Sequence, residues 1–430
     1  MPQGRCGYHA HMTKQFTIER LGHQGDGVAQ GSIFAPRTLP GEVVSGVVEG
    51  DRLTEIRIET PSSDRVKPVC RHYQGCGGCQ LQHASEPFVA GWKQEVVRRA
   101  LMAQRIETVF RPILTSPPQS RRRATFAARR TKKGALAGFH GRASDSIVEI
   151  PDCQLLLPGL LAALPVAEAL AMVGGSRKAV LAVTATLSEV GLDIAASGGK
   201  PLDGPLQVVL AQLTERHGLA RLAWDGEVIA MRAGPVQRFG AAAVVPPSGA
   251  FLQATQQGEA ALLATLREIV GPARRIVDLF AGCGTFSLPL AERAEVHAVE
   301  ADKAMIAALD AGWRKAQGLK AVSSEARDLF RRPLMPDELA PFTAPFDAAV
   351  LDPPRAGAEA QVEQLALARV PVIAYVSCNP VTFARDAARL IAAGYSLNWV
   401  QVVDQFRWSA HVELAASFTL DKTKDKIKKA

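Results

Sequence analysis

Residues 370–380 read Val-Pro-Val-Ile-Ala-Tyr-Val-Ser-Cys-Asn-Pro, an apolar run that ends at Cys378. Such a run, bounded by prolines, predicts a strand that is buried on both faces of a parallel sheet. Functional groups in open parallel sheets lie where strands end, so we expect Cys378 at the carboxyl edge. Asn379 can cap a following helix whose first residue is Pro380, and the positive end of that helix favours a thiolate. Cys378 is therefore a candidate nucleophile, and a small buried hydrophobic residue is the alternative.

The overall composition limits the classes of protein to which the chain can belong. Its 430 residues are 47% hydrophobic and 21% charged, which is typical of a soluble protein with two or three domains. No apolar run reaches the roughly 20 residues of a transmembrane helix, and residues 1–14 lack the apolar core of a signal peptide. We therefore expect a cytoplasmic protein with no membrane partner. The net charge of +8 favours a polyanionic partner such as RNA, although many enzymes share this balance.

The C-terminal part has the sequence pattern of an α/β domain. From residue 271 onward, strand and helix patterns alternate, and a buried strand at 275–280 runs into the glycine turn at 281–286. The next strand ends at Glu300, where a carboxylate can accept hydrogen bonds from both ribose hydroxyls. Four residues together match the motifs of S-adenosylmethionine-dependent methyltransferases: Asp278, Gly282, Gly284 and Glu300. We therefore expect a Rossmann-like methyltransferase fold.

Two more carboxylates follow predicted strands of this domain. Asp328 is placed to contact an adenine amino group, and a plain helix cap is the alternative. The strand at 346–351 leads into Asp352-Pro-Pro-Arg355. Enzymes that methylate exocyclic amino groups typically have an aromatic residue after the two prolines, and RNA cytosine-5 methyltransferases have a cysteine in this loop. This chain has neither, so the remaining nucleophile is Cys378.

The N-terminal part predicts a small β-barrel. Short alternating runs between residues 16 and 58 are separated by Gly, Asp and Pro turns at the spacing of a five-strand OB-like barrel. Residues 22–29 and 39–42 resemble a TRAM domain, which is an RNA-binding barrel. A barrel that only packs against its neighbour is the alternative.

Four cysteines suggest a metal site between the barrel and the catalytic part. Cys70, Cys76 and Cys79 form a Cys-x5-Cys-Gly-Gly-Cys pattern, and the glycines let the backbone wrap tightly around a bound group. Cys153 would complete a four-sulfur site. Structural zinc sites usually have two paired knuckles and only one pair is present, so we favour an iron–sulfur cluster over zinc.

A basic segment follows the cysteines. Residues 89–105 predict an amphipathic helix with apolar positions at Val89, Trp92, Val96, Ala100 and Leu101, beside Lys93, Arg98 and Arg99. Residues 120–140 predict a hairpin with one basic face, in which Phe126 and Phe139 are interleaved among the charges. Such a face suits phosphate contacts and base stacking, and a solvated face is the alternative. The candidate RNA contacts are Arg121, Arg122, Arg129 and Lys132.

These motifs together resemble the RNA (uracil-5-)methyltransferase family that carries an N-terminal TRAM domain and a four-cysteine 4Fe-4S cluster. The resemblance spans residues 16–418, and it implies S-adenosylmethionine as methyl donor and a structured RNA, ribosomal or transfer, as partner. No obligate protein partner is evident. Besides the four cysteines, it rests on the motifs at 251–253, 278–284, 352–355, 377–380 and 411–413.

The family resemblance also implies individual roles. Cys378 would add to carbon 6 of uracil, and Glu413 would remove the carbon 5 proton after methyl transfer. Phe251 is a candidate stacking partner for the unstacked uridine. Residues implied at the donor and base site are Gln253, Phe280, Gly282, Gly284, Thr285, Glu300, Asp328 and Asp352. Thr285 and Thr255 depart from the family, whose members often have Asn or Gly, and Asn, at these positions.

Glu413 lies in a predicted strand at 410–415. The alternative bases are His411, which is on the same strand face, and Asp404.

The predicted domains are a barrel at 14–66, a central α+β domain at 67–250, a methyltransferase domain at 251–420 and a basic tail at 421–430. Two other functions remain open from the sequence. One is an RNA cytosine-5 methyltransferase, and the other is an inactive RNA-binding cluster protein.

Overall fold

The computed structural model of the chain describes residues 14–341 and 344–421. The predicted basic tail, apart from residue 421, lies outside the described residues. No helix in the described part of the chain is both long and apolar enough to cross a membrane.

The first five strands close into a barrel, which confirms the expected N-terminal fold. Hydrogen bonds link the strands in the order β1-β2-β3-β5-β4, and β4 returns to β1. Ile18, Val44 and Leu53 point into the barrel core. The strands are β1 Lys14–Leu21, β2 Gly27–Ala29, β3 Ile33–Ala35, β4 Val43–Glu49 and β5 Arg52–Thr60.

Helix α1, Glu86–Ala103, follows the cysteine segment and packs against the C-terminal domain. The hydroxyl of Ser85 caps the helix by accepting a hydrogen bond from the N–H of Phe88. The fully buried side chains lie four residues apart at Val89, Lys93, Val97 and Leu101. Val89 and Leu101 of the predicted apolar face are buried, and Trp92, Val96 and Ala100 are half-buried and pack against neighbouring apolar clusters. The prediction is wrong for Lys93, which is fully buried and not beside this face.

The central domain contains a seven-stranded sheet in the order β10-β9-β8-β11-β12-β13-β14 within the described residues. Strands β8 and β9 form the predicted antiparallel hairpin. Phe126 is fully buried and stacks on Phe139 with ring centroids 5.5 Å apart, so it belongs to the core and not to a base-stacking surface. Two short strands, β6 Val109–Phe110 and β7 Leu114–Thr115, precede this sheet in the chain and pair with the sheet of the C-terminal domain. The strands of the central sheet are β8 Arg123–Arg130, β9 Ala135–His140, β10 Ile147–Val148, β11 Leu181–Ser188, β12 Gly191–Ser197, β13 Arg221–Trp224 and β14 Glu227–Met231. The helices are α2 Ala163–Gly174 and α3 Gly204–Arg216.

The C-terminal domain is an α/β sandwich, as expected for a methyltransferase. A short hairpin, β15 Gln237–Phe239 and β16 Ala242–Val244, precedes it. Its strands are β17 Arg275–Leu279, β18 Glu295–Glu300, β19 Val322–Ala326, β20 Ala348–Leu351, β21 Val372–Ser377, β22 Tyr395–Asp404 and β23 Leu414–Leu420. Its helices are α4 Gln256–Val270, α5 Ser287–Leu290, α6 Lys303–Lys315, α7 Pro336–Leu339, α8 Glu359–Ala368 and α9 Pro380–Ala392.

The sheet order in this domain is β19-β18-β17-β20-β21-β23-β22-β6, with β7 also paired to β22. The strands from β17 to β21 that neighbour one another are parallel, and β23 is antiparallel to both β21 and β22. Apolar clusters cover both faces of the sheet, which explains why its strands are continuous hydrophobic runs. The loop at 405–413, between β22 and β23, is called the catalytic loop below.

Candidate active site

The carboxyl ends of four neighbouring parallel strands meet at one edge of the sheet. The register aligns the last residue of β17 with Leu351 of β20, and Leu351 with Tyr375 of β21. The residues that follow these strands therefore lie side by side. They are Phe280 after β17, Asp352 after β20 and Cys378 after β21, with Glu300 at the end of β18.

The glycine turn after β17 has a backbone shape that few residues tolerate. Phe280 and Gly284 have φ angles of 65° and 89°, in the left-handed region that favours glycine. A side chain at Gly284 would also meet atoms of Leu288 and Leu309 at 2.9 Å. Thr285 is half-buried in the same turn. The sequence of the turn thus allows its unusual backbone shape.

Two carboxylates flank this turn. Burial raises the pKa of Asp278 to about 7, the charge of Glu300 adds to this, and a hydrogen bond of 2.5 Å from Ser287 Oγ opposes it. The other oxygen of Asp278 is buried and has no hydrogen-bond partner among the described residues. Glu300 accepts from the N–H of Gly282 at 3.1 Å and from that of Asp302 at 3.0 Å. A positively charged ligand would compensate these carboxylates.

An aromatic pair lines the same edge. Phe280 lies 5.5 Å, centroid to centroid, from Phe330, whose side chain is about half exposed. Asp328 accepts hydrogen bonds from the N–H groups of Phe330 at 3.0 Å and Arg331 at 3.3 Å. Asp328 therefore acts as a cap, and its contact with adenine stays a prediction. Phe330 was not identified from the sequence. Its only signal there is that it is an aromatic residue two positions after Asp328.

Cys378 lies directly after β21 and is half-buried. The side chain of Asn379 accepts a hydrogen bond of 3.1 Å from the N–H of Val381, and Pro380 is the first residue of α9, as predicted. The thiol forms part of the wall of a cleft of about 1170 Å³ between the barrel, the central domain and the sheet edge. The nucleophile candidate thus lines this open cleft.

The ionisation of this thiol differs from the sequence-based expectation. Burial, and then the charges of Glu413 and Asp352, raise the pKa of Cys378 to about 11, while Arg355 lowers it slightly. The expectation that the helix end favours a thiolate is therefore wrong for the free protein. The reason is that two acidic neighbours, invisible from the local sequence, oppose a further negative charge.

Glu413 and Asp352 are joined by two glutamines. Nε2 of Gln405 donates to Glu413 Oε2 at 2.9 Å and to Gln253 Oε1 at 2.5 Å, and Nε2 of Gln253 donates to Asp352 Oδ2 at 3.1 Å. Burial raises the pKa of Glu413 to about 7, and the hydrogen bond from Gln405 opposes this. Burial and the charges of Glu413 and Asp278 raise the pKa of Asp352. Gln405 was missed from the sequence, because nothing near it in the chain indicates its partners.

The structure separates Glu413 from the alternative bases. Asp404 accepts a hydrogen bond of 2.6 Å from the ammonium group of the buried Lys93, which is therefore its fixed partner. His411 is exposed in the catalytic loop and packs edge to face against Phe406. The predicted strand at 410–415 is wrong at its start, since β23 begins at Leu414. Glu413 is only 4% exposed, whereas the exposed His411 lines the cleft beside Cys378, and the choice of Glu413 as base stays a prediction.

Arg122 does not have the role predicted for it. Its side chain is 3% exposed, donates to Glu259 Oε2 at 2.5 Å and also donates to the carbonyl of Gln253 at 3.1 Å. This pair joins the central domain to α4 of the catalytic domain. The assignment of Arg122 as an RNA contact is therefore wrong, because a buried and paired guanidinium cannot reach a phosphate.

The other predicted RNA residues lie at or near the surface. Arg121 is half-buried and donates to the carbonyl of Arg123 at 3.0 Å, Arg129 is half-buried and Lys132 is exposed. Phe251 is 61% exposed and free to stack. None of these residues lines the cleft beside Cys378. The arginines that do line this cleft were not assigned to RNA from the sequence. They are Arg20, Arg52, Arg99, Arg142 and Arg355.

The four cysteines of the predicted cluster are electrostatic neighbours. Burial raises the pKa of Cys79 to about 12, and the charges of Cys153, Cys76 and Cys70 add to this. Cys76 is affected in the same way by Cys153 and Cys70. In the described part of the chain, however, no three Cys, His, Asp or Glu side chains converge closely enough to hold one metal ion. The sulfurs thus share one region without meeting at a single point.

Comparisons with known proteins identify the family of this chain. The family model described as tRNA (Uracil-5-)-methyltransferase matches residues 247–420. A protein of Brucella suis named an uncharacterized RNA methyltransferase is 45% identical, covering 95% of this chain and 98% of the relative. The 23S rRNA (uracil(1939)-C(5))-methyltransferase RlmD of Halomonas elongata is 35% identical, covering 93% of this chain and 88% of the relative. The chain belongs to the RNA (uracil-5-)methyltransferase family.

The fold agrees with this family. The crystal structure of the Pyrococcus abyssi tRNA (uracil-54, C5)-methyltransferase in complex with S-adenosyl-L-homocysteine superposes with a TM-score of 0.72. The match covers 95% of this chain and 100% of that chain at 22% identity, so it supports the fold alone. As a family member, the protein is an S-adenosylmethionine-dependent RNA methyltransferase.

Proposed function

We propose that this RNA (uracil-5-)methyltransferase modifies carbon 5 of a uridine in ribosomal RNA through a covalent bond to Cys378. The observation that carries the proposal is the position of Cys378 between an open cleft and two carboxylates, Glu413 and Asp352, whose charges act on its thiol. The 35% identity to an enzyme named for 23S rRNA favours ribosomal RNA, and transfer RNA is the alternative target.

The residues of this edge account for each step of the reaction. The sulfur of Cys378 adds to carbon 6 of the uracil, and its thiol proton passes to a neighbouring carboxylate. Carbon 5, now electron-rich, would take the methyl group as the bond between that methyl and the sulfonium sulfur breaks, which leaves the donor as a neutral thioether. Glu413 then removes the carbon 5 proton while the bond between sulfur and carbon 6 breaks, which restores the ring and releases the thiolate. The thiolate takes its proton back from the carboxylate that accepted it, and the proton on Glu413 is released to solvent. Asp352 can accept the ring N–H and so orient the base.

S-adenosylmethionine supplies the methyl group and a positive sulfonium charge. Glu300, with the Gly282 and Gly284 turn, would hold its ribose, and Phe280 would contact its adenine. The residues fit such a ligand because Asp278 has a buried oxygen with no partner and a raised pKa, which nearby positive charge would relieve. The same charge would also lower the cost of ionising Cys378.

A 4Fe-4S cluster would be held by Cys70, Cys76, Cys79 and Cys153. Tetrahedral zinc requires four sulfurs at about 2.3 Å from one ion, whereas each cysteine of such a cluster binds a different iron. The mutual electrostatic effects of these cysteines place their sulfurs in one region, which such a cluster requires. We propose that it ties the loop around residues 70–79 to residue 153, and we assign it no redox step.

RNA would enter the cleft beside Cys378. The barrel, which resembles a TRAM domain, contributes Arg20 and Arg52 to its wall, and α1 contributes Arg99. A target uridine must leave its base stack to reach the sulfur, so loops or single strands are favoured. The exposed Phe251 could stack on the displaced base.

The proposal is tested by mapping 5-methyluridine in RNA from cells with and without this protein. We expect one or a few uridines of 23S rRNA to lose the methyl group and to regain it when the gene is restored, but not with Cys378→Ala. Nucleoside analysis of the product separates 5-methyluridine from 5-methylcytidine. An unchanged ribosomal map together with a missing methyl group in transfer RNA would move the target, and loss of 5-methylcytidine instead would overturn the uracil assignment.

A further inference from the structure

The side chain of Gln405 holds an unusual position in the site. It is 2% exposed, lies at the start of the catalytic loop and makes three hydrogen bonds. Its Oε1 accepts from the N–H of Ala254 at 2.8 Å. Its Nε2 donates to Gln253 Oε1 at 2.5 Å and to Glu413 Oε2 at 2.9 Å. The side chain therefore connects the base-binding residues to the proposed general base.

The direction of these hydrogen bonds is fixed by chemistry. A backbone N–H can only donate, so the atom of Gln405 that faces Ala254 must be the carbonyl oxygen. The amide nitrogen of Gln405 must then face Gln253 and Glu413, and both of its hydrogens are used. Gln253 can accept from this donor only with its own carbonyl oxygen. The two ends of the Gln253 amide are thereby assigned, although amide orientations are otherwise ambiguous.

This assignment decides which group of Gln253 faces the reaction site. Its Nε2 lies on the side of Asp352, to which it donates one hydrogen at 3.1 Å. Asp352 and Cys378 follow the adjacent parallel strands β20 and β21, so this side of Gln253 faces the edge where the base would react. Among the described residues, Asp352 is the acceptor for one hydrogen of Gln253 Nε2. Gln253 is only 2% exposed, so a ligand would reach the second hydrogen only at this buried edge.

We infer that Gln405 is a positioning residue that selects uracil over cytosine by holding Gln253 in the orientation that presents an N–H to position 4 of the base. Uracil has an oxygen acceptor at position 4, whereas cytosine has an amino donor there. Gln253 as donor, next to Asp352 as acceptor for the N3–H of uracil, matches the edge of uracil. Cytosine would place its amino group against an N–H and its unprotonated N3 against a carboxylate.

The inference rests on the proposed function, and its test uses the RNA fragment in which 5-methyluridine is mapped. Two transcripts are made that differ only by uridine or cytidine at that position. Methyl transfer is measured in single-turnover reactions with enzyme in excess, so that slow methylation of the cytidine transcript is quantified. The result is the ratio of the two rates, together with the donor Kd and the Tm of each variant.

Gln405→Met and Gln405→Leu each replace the amide side chain of Gln405 by an apolar side chain of similar size. Both substitutions therefore remove the N–H donor of Gln405. Without the donor, the Gln253 side chain keeps only its hydrogen bond to Asp352 and is less firmly oriented. We therefore expect the uridine-to-cytidine ratio to fall by about ten- to a hundredfold in both variants. The matched control is Gln401→Met, because Gln401 is also buried in β22 but donates to the carbonyl of Pro112, away from the site. This control should keep the wild-type ratio.

The possible outcomes separate the inference from the proposed function. A purely structural role for Gln405 would slow both transcripts equally and lower the Tm, leaving the ratio unchanged, and this result would overturn the inference alone. A wild-type protein that forms no 5-methyluridine in any RNA would overturn the proposed function. A fall in the ratio in whichever Gln405 variant folds, with an intact Gln401→Met control, supports the inference.

Discussion

The edge of the sheet that carries Asp352, Cys378 and Glu413, called the catalytic edge, and residues 70–79, called the cysteine loop, both contain thiols whose pKa is raised. The causes differ between the two regions. At the catalytic edge, burial and the carboxylates Glu413 and Asp352 raise the pKa of Cys378 to about 11. In the cysteine loop, burial and the charges of other cysteines, chiefly Cys153, raise the pKa of Cys79 to about 12. Carboxylates beside a thiol can accept and return protons. Several thiols close together can instead ligate one metal centre, so the neighbours of a thiol favour one role over the other.

The two regions also touch each other. The carbonyl of Trp408, in the catalytic loop, accepts hydrogen bonds from the N–H of Gln80 at 2.7 Å and of Leu81 at 2.9 Å. These residues come directly after Cys79. The loop that carries Gln405 and ends at Glu413 is therefore supported by the cysteine segment. The predictions below test whether substitutions at the catalytic edge change the reaction without changing the support that the cysteine loop gives to this site.

The largest effect is expected at the catalytic edge from Glu413→Gln. Without the base, Cys378 can still attack and the methyl group can still transfer, but the carbon 5 proton stays in place. We expect turnover to fall by about 10²- to 10⁴-fold and a protein–RNA adduct that survives denaturing electrophoresis. The adduct should disappear when Cys378→Ala is added. A Glu413→Gln variant that binds both substrates yet traps nothing would assign the base to another residue.

A second expected effect is pH dependence of adduct release in the wild-type protein. Burial raises the pKa of Glu413 to about 7, and only its ionised form can take the proton. Release should therefore slow by roughly tenfold for each pH unit below that value and level off above it. Rapid-quench measurement of adduct decay from about pH 5 to 8 gives the profile. A flat profile, with donor binding unchanged, would exclude Glu413 as the titrating group.

A smaller effect is expected from the cysteine loop. Cys79→Ser should remove iron from protein purified without oxygen and lower the Tm, because cluster binding is linked to folding of this segment. RNA binding should weaken several-fold before donor affinity changes. Metal analysis, thermal unfolding and separate titrations with RNA and S-adenosylmethionine measure these properties. The matched control is Cys283→Ser, a buried cysteine in the donor turn, which should leave iron unchanged. Zinc without iron in the wild-type protein would contradict the cluster.

The smallest effect concerns the basic side chains. Replacing Arg99 or Arg20 by Ala should reduce the slope of log affinity against log salt by about one unit for each interaction with a phosphate that the substitution removes. Arg129→Ala and Lys132→Ala test the segment predicted from the sequence in the same assay. Arg122→Ala should instead lower the Tm, since it breaks the buried pair with Glu259. Unchanged slopes for Arg129 and Lys132 would make that segment a solvated face.

The sequence located features that depend on the ends of strands. A buried apolar run followed by Cys378, a glycine turn after β17 and carboxylates after the next strands are all local patterns. In a parallel sheet these ends meet at one edge, so local patterns predicted a tertiary site. The barrel was also predicted, because alternation and turn spacing are local. The start of the strand near Glu413 was misplaced, because apolar residues continue from β23 into the loop before it.

The predictions that failed concern charged side chains. Lys93 and Arg122 were placed on polar surfaces because charged residues are normally exposed. Lys93 is instead paired with Asp404, in the distant strand β22, and Arg122 with Glu259 in another domain. The thiolate expected for Cys378 failed for the same reason, since Asp352 and Glu413 reach it from separate strands. Pairing over such separations leaves no periodic signal in the chain.

The sequence by itself determined the fold class, the edge at which the chemistry lies and the identity of the nucleophile candidate. Hydrophobic periodicity, glycine turns and capping residues act over a few positions, and each constrains the backbone directly. Only the tertiary structure decided which polar groups face one another. The link from Glu413 through Gln405 and Gln253 to Asp352 joins three separate segments of the chain. Donor and acceptor directions, and the pKa values that follow from burial, exist only once those segments have packed together.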